Sequence, residues 1–228
     1  MISMHSETIS ICLPKGDALP PLSNLLNRVG FPVEGYQADN RTYRPIVTDL
    51  PVRVKIMAEK DVAIQVAVGN YDIGFCGFDW IQEHLIKYRA ASLHVHKHLG
   101  LKITSIYACV GMGGQYQTME DIKSATGFIS IISEYPNLAE NFAITNRLKK
   151  FKIFSAWGSV EAYPPEHADV VILSASDEHE LTQKGLLVIS QEMTSDLCLL
   201  VNRSRFVQKN MTQIFSYFSK SEITHDLS

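Results

Sequence analysis

Short apolar runs alternate with longer amphipathic ones along most of the chain. Residues 8–13 (TISICL) form an apolar run of strand length, and Pro14-Lys15-Gly16-Asp17 follows as a turn. Leu22, Leu25, Leu26 and Val29 then recur at helical spacing, and Gly30 predicts the end of that helix. Residues 53–58 predict a strand, 61–68 a helix with Gly69 as its C-cap, and 73–76 a short strand. Asp79 opens another helix that runs to about His84. Strand and helix in this rhythm predict a parallel sheet flanked by helices.

The second half keeps the rhythm. Residues 103–110, 128–132, 152–156, 170–173, 186–189 and 197–201 predict strands. Residues 111–117, with Gly111, Gly113 and Gly114, read as a loop, and Thr118 starts a short helix. Residues 136–148 and 178–184 predict helices, the latter ended by Gly185. Phe206, Met211, Ile214, Phe215 and Phe218 predict one C-terminal helix over 206–218. No internal repeat of roughly 20 to 50 residues and no low-complexity segment interrupts the pattern.

Composition narrows the class. The chain has 228 residues, 46% of them hydrophobic and 20% charged, which argues against disorder, collagen and coiled coil. At about 150 residues per domain this is one large domain or two small ones. No apolar stretch approaches the roughly 20 residues that span a bilayer, so no membrane is expected. Residues 1–7 carry no basic stretch followed by an apolar core, so no secretory signal is expected. Twenty-one Lys and Arg against 24 Asp and Glu is no polyanion-binding balance, so nucleic acid is not an expected partner. Cys12, Cys76, Cys109 and Cys198 lie far apart among apolar residues and form no C-x-x-C. They read as buried reduced thiols of a cytoplasmic protein.

Candidate chemistry gathers at a few turns. Lys15 and Gly16 follow a strand and precede a helix, where backbone amides attract anions; the plain alternative is an exposed turn lysine. The stretch from Asp61 to Glu83 holds Gly69, Gly74 and Gly77, with Asp72 and Asp79 flanking its short strand. Gly74 within a strand implies close approach of a backbone or a ligand, and Asp79 suits a helix N-cap. Trp157-Gly158-Ser159-Val160-Glu161 ends a strand in a small-residue turn, which makes Glu161 a candidate for ribose hydroxyls or a metal, or else a surface acid. His94, His96 and His98 would share one face of a strand at about 6.6 Å per two residues. Adjacent pairs could hold zinc or copper with a third ligand; the alternative is a solvated edge or hinge. Ser159 lacks a nucleophile-elbow pattern, and no catalytic triad or other catalytic residue is assigned.

The order of these motifs resembles the short form of the ATP phosphoribosyltransferase family, the first enzyme of histidine biosynthesis. The resemblance runs over about residues 9–202. Its carriers are Leu13-Pro14-Lys15-Gly16, Asp61-Val62, Gly69, Asp72, Gly74, Gly77, Asp79, Glu83, Tyr135-Pro136-Asn137-Leu138, Gly158-Ser159-Val160-Glu161, Ala168-Asp169 and Gly185-Leu186. It implies an α/β fold of two lobes like a type II periplasmic binding protein, with the ligand cleft between them. Lobe one is placed at 1–92 plus 186–228, and lobe two at 93–185. The implied reaction transfers phosphoribose from phosphoribosyl pyrophosphate to N1 of ATP, with magnesium (Mg2+). Lys15, Gly16, Asp72, Gly77 and Glu161 would line the nucleotide side. The implied partners are ATP or another nucleotide, a regulatory subunit similar to histidyl-tRNA synthetase, and further copies of the chain in a homo-oligomer.

The departures fall on functional positions. Where the resemblance calls for a second aspartate and a Thr-Gly-x-Thr phosphate loop, this chain has Leu173 and, after Ser176, Asp177-Glu178-His179-Glu180. Asp17 and Glu134 stand where the family carries Arg and Lys. Each like-charge contact at about 4 Å costs about 1 kcal/mol in water and several times that in a partly closed site. Asp177 and Glu180 stand three apart, as N-cap and N3 do in a capping box, so the helix start could be satisfied by its own side chains. Two readings stay open: the family transferase, and a catalytically inactive paralogue that binds a small molecule or regulates a true transferase.

Overall fold

The computed structural model describes residues 8–40, 42–88 and 92–219; residues 1–7, read above for a leader, lie outside them. In chain order the elements are β1 (Ile9–Lys15), α1 (Leu19–Arg28), β2 (Val33–Glu34), β3 (Ile46–Val47), β4 (Val52–Ala58) and α2 (Glu59–Ala67). Then come β5 (Ile73–Gly77), α3 (Phe78–Tyr88), β6 (Leu93–His98), β7 (Thr104–Gly111), α4 (Met119–Ser124), β8 (Ile129–Ser133) and α5 (Pro136–Thr145). The rest are β9 (Phe151–Ser155), β10 (Val170–Ala175), α6 (Glu178–Gln183), β11 (Leu186–Ser195), β12 (Leu197–Asn202), α7 (Arg203–Gln208) and α8 (Thr212–Ser219). Local chemistry sets many of the ends. Prolines occupy the first turn of α1, where a missing N–H costs nothing, and Thr118 with Asp121 builds a reciprocal capping box on α4.

The chain divides into two compact units, residues 1–81, 90–102 and 196–228 in one and 82–89 with 103–195 in the other. Unit one holds the sheet β4-β1-β5-β12-β6, and unit two the sheet β11-β7-β10-β8-β9. Both depart from the purely parallel sheet that the rhythm predicts. β12 runs antiparallel to β5 and β6, and β7 runs antiparallel to β10 and β11. A parallel neighbour needs a βαβ crossover within one unit; β12 arrives only after the whole of unit two, and nothing ties its direction to β5. The boundaries also shift. β6 pairs with β12 in unit one, and β11 pairs with β7 in unit two, so 93–102 and 186–195, like 82–89, sit in the opposite unit from the one the sequence reading gives them. An apolar run marks a strand but not the sheet it joins.

The single C-terminal helix over 206–218 is in fact two, α7 and α8. Lys209 breaks it in extended conformation (φ −115°, ψ 140°). The break has a visible cause: Lys209 Nζ reaches Asp72 Oδ2 at 2.9 Å and the Thr8 carbonyl at 3.0 Å. Asp72, just before β5, also accepts from the Ser10 amide (2.7 Å) and hydroxyl (2.8 Å). Unit two repeats the clamp: Asp169, just before β10, accepts from the Ser130 amide and hydroxyl, each at 2.7 Å. Each clamp ties the start of a central strand to the strand beside it.

Unit one's core packs α1 and α8 against one face of its sheet through Leu22, Leu25, Leu26, Ile214 and Phe218. On the other face, α2 comes so close to β5 that a Cβ at Gly74 would lie 2.7 Å from Val62 Cγ1, 2.8 Å from Val66 Cγ2 and 3.0 Å from Cys12 Sγ. The close approach expected at Gly74 is therefore a helix. Gly74→Ala should cost about 1–3 kcal/mol by overpacking, read as a lowered thermal midpoint; an unchanged midpoint would mean that α2 shifts freely. All four cysteines are free and buried, and burial pushes the Cys109 thiol up to about 12. Among the described residues no helix is long and apolar enough to cross a membrane.

Candidate functional site

In unit one the carboxyl ends of β1, β4 and β5 bring Lys15, Ala58 and Gly77 to one edge of the sheet. Open α/β sheets bind ligands at such edges. Lys15 is exposed, with its ammonium 5.9 Å from the Tyr43 ring centroid. Gly16 takes φ +79°, and nothing lies within 4 Å of where its Cβ would stand. The Tyr36 hydroxyl donates to the Pro14 carbonyl at 2.7 Å and holds the strand end. Asp72 does not join this group. It precedes β5, so it stands at the amino edge of the same sheet, in its clamp with Ser10 and Lys209.

Gly77 is surrounded by acids of its own chain. Its amide donates to Glu59 Oε1 at 2.8 Å, and Glu59 Oε2 accepts from Lys102 Nζ at 2.7 Å. A Cβ on Gly77 would lie 2.1 Å from Asp79 Oδ1 and 3.1 Å from Glu59 Oε1, so only glycine lets both carboxylates close here. Burial raises the Glu59 carboxyl above its usual range; Lys102 opposes this and Asp79 adds to it. For Lys102, burial works to lower the ammonium, but Glu59, Asp79 and Asp17 outweigh it and hold the group protonated. Neither Glu59 nor Lys102 was among the sequence candidates. They lie 43 residues apart, and no local pattern joins them.

Besides Asp169 on the Ser130 amide and Asp121 on the Gln117 and Thr118 amides, unit two seats a carboxylate on backbone amides at three further places. Glu83 accepts from the Asn137 and Leu138 amides at 2.9 and 2.8 Å, at the start of α5. Glu134 accepts from the Gly158 amide at 2.5 Å, in a turn where Gly158 and Ser159 both take positive φ. At α6, Asp177 Oδ1 accepts from the Glu180 amide at 2.9 Å, and Glu180 Oε2 reaches back to the Ser176 amide at 3.0 Å. The spacing predicts a capping box; the return bond lands one residue earlier than the usual box places it. The Ser176 amide, then Lys184, hold the Glu180 carboxyl below its usual range. Lys184 lies 3.0 Å from Glu180 Oε1 and 3.6 Å from Glu161 Oε1, so Glu161 meets the 176–180 segment through one lysine. His179 pairs with Gln183 at 2.9 Å, and Glu178 sits in the first turn of α6. Leu173, in the second aspartate's place, is buried in the apolar cluster with Val171 and Leu181.

The three histidines of β6 do not share a face. His94 pairs with Val201 and His98 with Cys198, and a bulge inserts His96 between them. Directly opposed residues lie on the same side, and Val201 and Cys198 are an odd number of residues apart. His94 and His98 therefore point to opposite sides. His96 stacks on Phe215 at 4.0 Å between centroids, whereas His98 meets Phe78 at 5.1 Å. Period-two reasoning fails here because one extra residue inverts it.

Comparison with known proteins adds a family frame. A family model described as ATP phosphoribosyltransferase matches residues 58–220. The ATP phosphoribosyltransferase of Prosthecochloris aestuarii is 24% identical over 203 residues, 89% of this chain and 66% of its own length. That of Thermodesulfovibrio yellowstonii is 22% identical over 208 residues, covering 90% of this chain and 65% of its own. The chain thus spans just under two thirds of these curated relatives. Among solved structures, the ATP phosphoribosyl transferase (HisG:HisZ) complex of Thermotoga maritima matches with TM-score 0.74 and 18% identity, over 92% of this chain and 94% of that one. The alkanesulfonate-binding protein SsuA of Xanthomonas axonopodis matches with TM-score 0.56 and 14% identity, over 92% and 71%. The fold is that of this transferase and of type II periplasmic binding proteins.

Proposed function

Because the chain belongs to the ATP phosphoribosyltransferase family, we propose that it is a non-transferring member, retained to bind and regulate an active transferase rather than to hold phosphoribosyl pyrophosphate. One observation carries the reading. Where the resemblance places the donor phosphate, two amides at the start of α6 already donate to carboxylates of this chain, Ser176 to Glu180 and Glu180 to Asp177. Glu134 holds the Gly158 amide in the same way. A phosphate arriving there would displace bound carboxylates and meet their charge, at about 1 kcal/mol or more for each close contact. Three of the four carboxylate oxygens of Asp177 and Glu180 are engaged by amides and Lys184, so magnesium would compete with those contacts at this loop.

The fitting partner is a transferase assembly in which this chain stands as one subunit. The fold match to a HisG:HisZ complex supports a role beside a second subunit, and the four free thiols suit a cytoplasmic setting. A nucleotide could still reach Lys15 and Gly16, whose surroundings are open. The second reading is the transfer reaction itself, favoured by the family match over 58–220. Calorimetric titration of the chain with magnesium and phosphoribosyl pyrophosphate, and separately with ATP, distinguishes the two. No donor heat is expected. Micromolar donor binding would restore the transferase.

A further inference from the structure

A nitrogen, an oxygen and a sulfur converge at the start of β12, beside the turn from Gly77 to Asp79. His98 Nδ1 lies 2.6 Å from Asp196 Oδ1 and 3.3 Å from Cys198 Sγ, and that sulfur lies 3.8 Å from the same Asp196 oxygen. We propose that His98, Asp196 and Cys198 form a binding site for a thiophilic divalent cation of the zinc type, with solvent in the fourth position.

The bulge at His96 is what makes the site. Without it, His98 would lie on the face opposite Cys198; with it, the two residues oppose each other across β6 and β12. The carboxylate is held from behind. Asp196 Oδ2 accepts from the Gly100 amide at 2.9 Å, and the Asp196 carbonyl accepts from the Phe78 amide at 2.9 Å, which leaves Oδ1 directed at the ring. Support of this kind orients metal ligands.

The same geometry excludes a nucleophile relay. A relay places the acid and the nucleophile on opposite nitrogens of the imidazole. Here both meet Nδ1. Burial also pushes the Cys198 thiol well up, with Asp196 and Asp79 adding to the effect, so a bare thiolate does not form. Carboxylates that disfavour a bare thiolate favour a cation in place of its proton.

Histidine nitrogen, thiolate and carboxylate are zinc ligands, and tetrahedral bonds of about 2.0–2.3 Å set donor atoms about 3.3–3.5 Å apart. The sulfur already stands near that separation from both partners. The His98–Asp196 contact must open by about 0.7 Å as the proton between them moves to Nε2 of the same ring and frees Nδ1 for the metal. The His98 side chain is 55% exposed, so its ring can move and water can reach the open position. Binding exchanges the thiol proton for the metal: the S–H bond breaks, the sulfur–metal bond forms and the proton goes to the buffer. Thiolate and carboxylate then balance the divalent charge.

The test is a titration of the chelator-treated full chain with zinc, in two buffers of different protonation enthalpy, and a parallel one with cobalt(II) followed by absorption. One equivalent should bind at micromolar metal or tighter, with proton release and a thiolate-to-cobalt charge-transfer band. His98→Gln should weaken binding at least about tenfold. Cys198→Ser should remove the band, and His94→Gln should leave the affinity unchanged. His98 is half exposed, so its variant remains informative if Cys198→Ser does not fold. Absence of binding, a cobalt spectrum without a thiolate band, or His98→Gln binding as tightly as the parent would overturn the proposal.

Discussion

Exchanging the four residues after Ser176 (Asp177→Thr, Glu178→Gly, His179→Gln and Glu180→Thr together) is expected to create phosphoribosyl pyrophosphate binding in a chain whose parent form is expected to show none. The exchange removes three carboxylates. It frees the Ser176 and residue-180 amides from their present acceptors, and it frees Lys184 from Glu180. Three relieved contacts at about 1 kcal/mol each in water amount to an affinity gain of about hundredfold or more. The helix should survive, because threonine at position 177 is itself a capping residue, and its neutral hydroxyl yields the residue-180 amide to a phosphate without the charge that Asp177 opposes to it. Lys184 keeps its 3.6 Å contact with Glu161, so one cation stays beside the emptied amides. Calorimetry with the magnesium complex of the donor reads the result. If donor heat stays absent in a variant that melts normally, the closure lies elsewhere, and Glu134 on the Gly158 amide is the next seat to open.

What the sequence made legible was local. The α6 cap could be read because its two acids stand three residues apart, and such spacing fixes geometry within one turn. The Glu134–Gly158 and Glu59–Lys102 contacts span 24 and 43 residues, and no periodicity reports them. Strand runs were visible, but the sheet each joins is decided by pairing, so β6 and β11 went to the wrong unit. The break between α7 and α8 was hidden because the apolar spacing carries across Lys209, which leaves the helix only to reach Asp72. Asp72 differs in kind. Its place at the amino edge of β5 follows from chain direction alone, since it precedes a strand whose carboxyl end carries Gly77. There the resemblance to a family motif outweighed a signal that the sequence already held.

Asp72→Ala should therefore act on stability and leave ATP binding, where present, untouched. The substitution strips Ser10 of its acceptor and leaves the ammonium of Lys209, whose side chain is only 14% exposed, without its carboxylate. Breaking a buried pair in this way costs about 3–5 kcal/mol, roughly 10 °C in a chain of this size. Asp169→Ala removes the matching Ser130 bonds in unit two but strands no comparable lysine, so about 1–3 kcal/mol is expected there. The pH profile separates charge from packing. Burial raises the Asp72 carboxyl, but the Ser10 amide, Lys209 and the Ser10 hydroxyl outweigh it and hold it below its ordinary 3.8. In acid the unfolded chain takes up a proton before the folded one does. The stability carried by Asp72 is thus fully present above pH 3.8 and is lost as the pH falls toward the lower folded value. Thermal midpoints of parent and Asp72→Ala should converge in that acid range. A gap that persists undiminished there would show that Asp72 acts through shape rather than charge, and equal losses from both aspartates would mean that Lys209 contributes nothing to the clamp.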